Sequence, residues 1–414
     1  MSNAAQTLTV DQARGYIIEN LPRMPAGQYV LLHEALNRVC AKKVVSAYQI
    51  PAYDNSAMDG YAFKYSDAKA LGDGRITLPV IGVSLAGQPY HGKKTNPVGA
   101  VRVTTGGFVP PEYDTVIPYE KTQFTDTEVT FDPADIKQGA NIRKAGEEIN
   151  KGDEILSVGT RLNPSHIALL ASVGVDRVMV YDRLKVTLIA TGDELSEPGH
   201  PLSKCGVFNS GAHGLIALLT GLGCDIQYEG IVKDDPNMVA LKLRQAKENG
   251  HIILITGGAA DSTADYAHQQ LALLGEIAPW TINMRPGRPM RFAKLGSKPV
   301  FLLPGNPVAS FVTFLEFAAG AIRYMQGQNA DLWPLTQRAV AGVDIKKKKG
   351  RAEFMRGKLT GYYQAAPVVE PLGNQSSASF TSMSQAEVII CLDAEDDIIH
   401  KGDRVKIQLL STVY

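Results

Sequence analysis

The chain has 414 residues and carries 42 Lys and Arg against 42 Asp and Glu, a formal charge of zero that argues against a broadly basic nucleic-acid-binding surface. Its 44% hydrophobic and 20% charged residues describe an ordinary globular protein, neither disordered nor fibrous, with length for about three domains of ~150 residues. No apolar run approaches the roughly 20 residues that cross a bilayer, the nearest, Phe311 to Ile322, being interrupted by Glu316, and the first twelve residues lack the marks of a signal peptide.

Thr9 and Gln12 stand at capping-box spacing, and Val10, Ala13, Ile17 and Leu21 follow on one face, so the chain is expected to open with a helix. A second helical pattern runs through Leu32, Leu36 and Val39. From Pro51 to Phe131, short alternating runs at 75–85, 100–105, 114–120 and 128–131 are separated by Gly, Pro and Asn, which predicts a small β-rich module. Asn163-Pro164 starts another helix, with Gly174 as its stop. The simplest organisation makes 51–140 an insertion in a helical linker or dimerisation domain built from 1–50 and 141–183.

Residues 184–328 alternate between strand-like runs and helical patterns. The strands are Val186–Ala190, Ile226–Ile231, Ile252–Ile255 and Val300–Leu303; the helical stretches are 215–222, 237–249, 264–274 and 308–325. That alternation predicts a parallel sheet with helices on both faces. Beyond 329, short strands at 338–344, 386–392 and 404–410 predict a C-terminal β module. The Lys346–Lys349 run reads first as a solvated hairpin or edge and only second as an anion patch. The expected fold is therefore α/β and multidomain: a doubly wound, mostly parallel α/β domain, a helical domain and two small β-rich modules. Cys40, Cys205, Cys224 and Cys391 form no CxxC pair, so thiols acting as small buried residues in a reduced, cytoplasmic setting are expected, and zinc is not.

In an open α/β sheet, ligands bind outside the carboxyl ends of the strands. Four loops leave those ends here: Thr191-Gly192-Asp193-Glu194, Lys233-Asp234-Asp235-Pro236, Thr256-Gly257-Gly258 running on to Asp261 and Asp265, and Pro304-Gly305-Asn306-Pro307. Glycines let backbone N–H groups approach a phosphate, and carboxylates can hold a hard divalent cation. Asp235 reads as an N-cap before Pro236; for Asp193 a turn role and a functional role weigh equally. Arg285-Pro286-Gly287-Arg288-Pro289, followed by Arg291, adds a basic cluster whose planar forks suit phosphate or an oxyanion. A second dense polar stretch runs from Pro51 to Ala62 and includes Asp54, Asn55, Ser56 and Asp59.

The Pro51–Ala62 stretch closely resembles the signature of the molybdopterin molybdenumtransferases, the MoeA family of molybdenum insertases that includes the E domain of gephyrin. The resemblance covers nearly the whole chain. It recurs at Thr104-Thr105-Gly106-Gly107, Asn141-Ile142-Arg143, Gly146-Glu147-Glu148, Leu170–Gly174 and Thr191–Leu195, and at the Thr-Gly-Gly, Arg-Pro-Gly-Arg-Pro and Pro-Gly-Asn-Pro segments above. It implies an elongated homodimer, with each active site between the α/β domain of one subunit and the β modules of the other. The implied reaction is magnesium-dependent insertion of molybdate into adenylylated molybdopterin, releasing AMP. Other proteins of molybdenum cofactor biosynthesis are implied as partners; nucleic acid and membrane are not.

Carried over by position, the resemblance implies active-site roles for Asp59, Glu148, Glu194, Asp234 and Asp265, with Glu194, Asp234 and Asp265 as magnesium ligands. It implies substrate contacts from Thr105, Gly257, Gly258, Arg285, Arg288, Pro304, Gly305, Asn306, Arg351 and Ser377. Four features depart from the family pattern. Ala259–Thr263 replaces a Val-Ser-Val-Gly-acidic run, Thr281 stands where lysine is common and would remove one cation, and Phe208–Gly211 lacks the usual Asp-Ser/Thr-Asn order. Glu148 stands where Asp is common. These leave open a diverged paralogue, non-catalytic or of altered specificity, that binds a pterin or nucleotide ligand or acts as a scaffold.

Overall fold

The computed structural model describes residues 6–23, 27–72, 74–92, 98–259 and 265–412. Helix α1 (Val10–Glu19) carries the reciprocal cap its sequence predicts: Gln12 N donates to Thr9 Oγ1 at 3.3 Å and Thr9 N to Gln12 Oε1 at 3.0 Å. Its apolar face does not turn toward residues 141–183. Ala13, Ile17 and Leu21 are buried in the core of the central α/β unit, beside Leu184 and Phe292.

The second N-terminal helix is absent. Gln28–Leu31 is a strand antiparallel to Arg177–Val180, followed by one 3₁₀ turn at Leu32–Glu34. Asn37 sits at φ 63°, a conformation that ends any right-handed helix, and Leu36 is left exposed. The spacing of Leu32, Leu36 and Val39 thus imitates a helical face that the backbone never forms. Val44–Val45 pairs with Glu154–Leu156 nearby, and α2 (Pro164–Ser172) packs Leu170 against Val30, Leu156 and Val178. Asn163 Oδ1 caps α2 at 2.9 Å from His166 N, and Gly174 follows it at φ 76°.

Between these paired parts lies a six-stranded sheet in the order Thr115–Pro118, Gly60–Phe63, Ala100–Val103, Ile76–Ser84, Glu128–Phe131, Gln123–Phe124. Four of these strands match the alternating runs. Gly60–Phe63 gave no such signal because all four of its residues are buried.

The central unit runs β1 (Lys185–Thr191), α3 (Ser210–Gly221), β2 (Asp225–Val232), α4 (Pro236–Asn249), β3 (Ile252–Thr256), α5 (Tyr266–Leu274), β4 (Glu276–Ile277), β5 (Arg291–Leu295), β6 (Lys298–Leu303) and α6 (Pro307–Met325). The strand order is β2-β1-β3-β6-β5-β4, with β2, β1, β3 and β6 parallel, β5 antiparallel to β6, and β4 antiparallel to β5. Residues of β3 alternate between two cores: Ile252 and Leu254 join α1, α3 and α6, while Ile253 and Ile255 join α4 and α5. Burial on both faces explains why β3 and β6 read as unbroken apolar runs, while β2 at the sheet edge is mixed.

By length and composition α6 could cross a membrane, contrary to the sequence expectation, yet 89% of that stretch is buried inside the protein. It is the core helix. It widens into a π turn at Phe314–Ala318, where Glu316, 1% exposed, pairs with Arg14 of α1.

The C-terminal strands Thr336–Ala341, Ala352–Tyr363, Ala366–Pro371, Val388–Leu392 and Arg404–Leu409 form a closed barrel, because Ala352–Tyr363 pairs with both Ala366–Pro371 and Val388–Leu392. Met284–Arg285 adds to it in parallel beside Ala352–Glu353, tying the barrel to the central unit. The lysine run is not simply solvated: Lys347 is buried and its Nζ donates to the carbonyls of Lys348, Ala394 and Asp396 at 3.2, 3.3 and 2.7 Å. Cys40 and Cys224 are buried as expected, but Cys205 is exposed.

Candidate active site

The carboxyl ends of β1, β2, β3 and β6 open onto a cavity of about 620 Å³, the acidic chamber. Its floor depends on glycine. Gly257 has φ 93°, and a Cβ there would lie 2.4 Å from the Thr191 carbonyl oxygen, so a side chain would push the β1 and β3 loops apart. Gly258, at φ 62°, would crowd Ala267 in the same way. Pro304, Gly305 and Asn306 complete the floor from the end of β6.

Glu194, Asp234 and Asp265 line this chamber. Asp193 ties two of their loops together: its N donates to Asp234 Oδ2 at 3.4 Å, and Asp234 N donates to Asp193 Oδ1 at 3.2 Å. Burial, reinforced by the charges of Asp193, Glu194 and Asp265, pushes the Asp234 carboxyl above its ordinary value. Asp235 takes no part, since its Oδ1 caps α4 at 2.9 Å from Asn237 N and 2.8 Å from Met238 N. Among the described residues, no three His, Cys, Asp or Glu side chains are gathered to hold a metal ion by themselves. The donors fit a hard divalent cation only if further oxygens, such as those of a phosphate, complete its shell.

A second cavity of about 570 Å³, the basic chamber, lies beside the first and shares Pro289, Pro304 and Asn306 with it. Arg285, Arg288, Arg351 and Ser377 line it. Arg285 keeps an exposed side chain, with Nη1 3.5 Å from Glu353 Oε1. Arg291 does not join the set, because it is buried and its Nη1 donates to the carbonyls of Arg288, Pro289 and Met290 at 3.3, 3.1 and 3.2 Å. It stiffens the basic loop from behind.

The C-terminal side of the basic chamber is built around Arg356, 1% exposed. Its Nη2 donates to the carbonyls of Asn374 and Ser376 at 3.2 and 2.9 Å, and its Nε to Ser382 Oγ at 3.2 Å. Gln375 binds back, accepting from Arg356 N at 3.0 Å and donating to the Arg356 carbonyl at 2.8 Å. The loop so held meets the end of β6, where Asn306 Nδ2 donates to Ser377 Oγ at 3.2 Å and Val308 N to the Ser377 carbonyl at 3.1 Å.

Glu194, Asp234, Asp265, Gly257, Gly258, Arg285, Arg288, Pro304, Gly305, Asn306, Arg351 and Ser377 therefore line one chamber or the other, while Arg291 and Asp193 line neither. Asp59, Thr105 and Glu148 line neither. Asp59 Oδ1 accepts from Thr105 N at 2.7 Å and Thr105 Oγ1 at 2.9 Å, hydrogen bonds that hold its carboxyl below the ordinary range. Glu148 pairs with Arg143 at 3.2 Å on the surface of the same N-terminal part.

The departures fare differently. Ala260, Asp261, Ser262 and Thr263 lie outside the described residues, while Ala259 is buried beside Ala267 and Leu271. Thr281 lines neither chamber; its hydroxyl faces that of Thr7 at 3.4 Å. The Phe208–Gly211 segment does line the acidic chamber. Sequence reasoning missed Arg356 as a wall residue, and gave Asn209, Pro289 and Gln375 no role of their own within the segments that contain them. An Asn ahead of a helix was a readable cap signal, whereas a buried Arg within a strand announces nothing.

Three family models match the chain in order: the MoeA N-terminal region (domain I and II) over residues 8–174, a probable molybdopterin binding domain over 187–324, and the MoeA C-terminal region (domain IV) over 338–410. The chain is 35% identical to a molybdopterin molybdenumtransferase of Haemophilus influenzae, over 97% of this chain and 98% of that protein. It is 32% identical to one from Nostoc sp., over 94% and 91% respectively. Among solved structures, the molybdopterin biosynthesis moeA protein of Pyrococcus horikoshii OT3 matches with a TM-score of 0.83 and 25% identity, over 98% of this chain and 100% of that one. With the two chambers in place, these matches along its whole length make the chain a member of the MoeA family of molybdopterin molybdenumtransferases, proteins of molybdenum cofactor biosynthesis.

Proposed function

We propose that the chain inserts molybdate into adenylylated molybdopterin, with magnesium-dependent release of AMP. The observation that carries this reading is the adjacency of two chambers of opposite charge that share Pro289, Pro304 and Asn306. A single ligand bearing a phosphoanhydride at one end and an oxyanion partner at the other suits that arrangement. The Gly257-Gly258 and Gly305 backbones receive the phosphates at close range, and Arg285, Arg288 and Arg351 hold anionic groups in the basic chamber. Glu194, Asp234 and Asp265 would hold magnesium together with phosphate oxygens; the ion supplies charge neutralisation at the phosphoanhydride.

A second copy of the chain completes the site in this proposal. Asp59, Thr105 and Glu148 are exposed on the N-terminal part and line neither chamber of their own chain, so a partner's module brings them to the cleft, with molybdate entering on the Asp59 side. The setting is cytoplasmic, which the unpaired cysteines support.

The test is AMP release by the purified protein from adenylylated molybdopterin, with molybdate and magnesium each present or omitted. Release that needs both ions is expected. Retained pterin binding without release would overturn the enzymatic reading and favour a binding or scaffold role.

A further inference from the structure

One wall of the acidic chamber is held by a polar network to which none of the assigned side chains belongs. Asn209, 2% exposed, stands at its centre, where the chain enters α3. Its Oδ1 accepts from Ala212 N at 3.2 Å and caps the helix. Its Nδ2 donates to Tyr228 Oη at 2.6 Å and reaches Glu197 Oε1 at 3.4 Å. Glu197 also accepts from Tyr228 Oη, and its Oε2 lies 2.9 Å from His213 Nε2.

The network reaches the chemistry through the backbone. Asn209 N donates to the Ser196 carbonyl at 2.9 Å, and Val207 N to the Glu194 carbonyl at 2.8 Å. Leu195–Ser196 and Val207–Phe208 form a short parallel pair, so residues 194–197 and 207–209 make one lip. Glu194 stands at one end of that lip and α3 starts at the other, and both face the cavity.

We propose that Asn209 is a positioning residue for the reaction assigned above: its neutral carboxamide, clasped between Glu197 and the first turn of α3, sets the Phe208–Gly211 wall against Glu194. The inference rests on that functional reading for its consequence but not for its geometry. An amide is required because one end must accept from a helix N–H while the other donates toward a carboxylate. A carboxylate at 209 would cap equally well, yet it would place a second negative charge beside Glu197. The titratable groups facing Asn209 are Glu197 on the lip, Tyr228 on β2 and His213 on α3. Burial alone would raise the Glu197 carboxyl, but hydrogen bonds from Tyr228, His213 and Asn209 hold it below its ordinary value, so it is charged at neutral pH.

The experiment compares wild type, Asn209→Asp and the double variant Asn209→Asp with Glu197→Gln. Asn209→Asp should raise KM for adenylylated molybdopterin about tenfold near pH 8 while kcat stays within about threefold. Near pH 5.5 a proton shared by the two carboxyls restores the donor, and KM should return toward wild type. In the double variant the new amide donates to the new carboxylate, and KM near pH 8 should recover to within about threefold of wild type. An unchanged KM at both pH values, or a loss with neither pH dependence nor rescue, overturns the proposal. Thermal unfolding of the same three proteins needs no substrate. There Asn209→Asp should lose Tm relative to wild type as pH rises from about 5.5 to 8, and the double variant should not. A wild type without molybdate-dependent AMP release sinks the functional reading; absence of that Tm pattern sinks the Asn209 assignment.

Discussion

The two chambers are neighbours built by different means. The carboxylates of the acidic one come from a single sheet edge, where four parallel strands end side by side and their loops cannot avoid meeting. The basic one exists only because a C-terminal barrel docks on that edge, through the Met284–Arg285 pairing and the Asn306–Ser377 contact. Negative charge is thus placed by topology and positive charge by docking. The first should survive perturbation of the barrel, and the second should not.

The largest expected effect lies on the acidic side. Asp265→Ala should lower AMP release at least about 100-fold, read as kcat with saturating magnesium. A normal rate would mean that the sheet edge is not where the chemistry happens. On the basic side, Arg356→Met removes the donors that hold Asn374 and Ser376, and should cost about 2–3 kcal/mol in chemical denaturation as well as raising KM. Were both quantities unchanged, the docked loop would be self-supporting, and the basic chamber would not depend on how the barrel holds it.

A milder change separates binding from chemistry. Arg351→Ala should raise KM for the pterin nucleotide or for molybdate about tenfold with kcat within about threefold, because it removes one anion contact and leaves the carboxylates alone. A kcat loss instead would assign the basic chamber to the transition state. The smallest effect concerns pH. With the Asp234 carboxyl raised above its ordinary 3.8, the folded chain binds more protons than the unfolded one from that pH upward to the folded value, and stability falls as pH rises through this window. Asp193→Asn keeps an acceptor for Asp234 N while removing a neighbouring charge. It should raise the Tm of the ligand-free protein by about 1–2 °C at pH 7, in scanning calorimetry.

The same contrast governs what could be read in advance. The four parallel strands of the central sheet and their loops were legible because buried strands are apolar runs and the order of alternation fixes where they end. The antiparallel Glu276–Ile277 and Arg291–Leu295 were not, the latter because Arg291 reads as part of a basic loop. Arg351 and Ser377 entered only by resemblance, since no local pattern states that a distant barrel will bring them to Asn306. Arg285, Arg288 and Arg291 looked equivalent as a sequence cluster. Side-chain geometry separates them, turning Arg291 inward to its own loop while Arg285 and Arg288 face the cavity. The false helix at Leu32–Val39 failed for a related reason: three apolar residues fitted a helical period, but a single left-handed Asn37 decided the path of the chain.

The contact between Arg14 and Glu316 has a consequence for how this molecule is made. Arg14 Nε donates to the Glu316 carbonyl at 3.1 Å across 302 residues of sequence. The first helix to leave the ribosome therefore waits some 15–60 s, at about 5–20 residues per second, before its contacts with α6 can form. During that interval Ile17 and Leu21 have only the earlier-made part of their core, from Leu184 to Phe292, to pack against. Shortening the wait, by a circular permutation that places residues 6–23 after 412, should leave the chambers intact and reduce aggregation during synthesis.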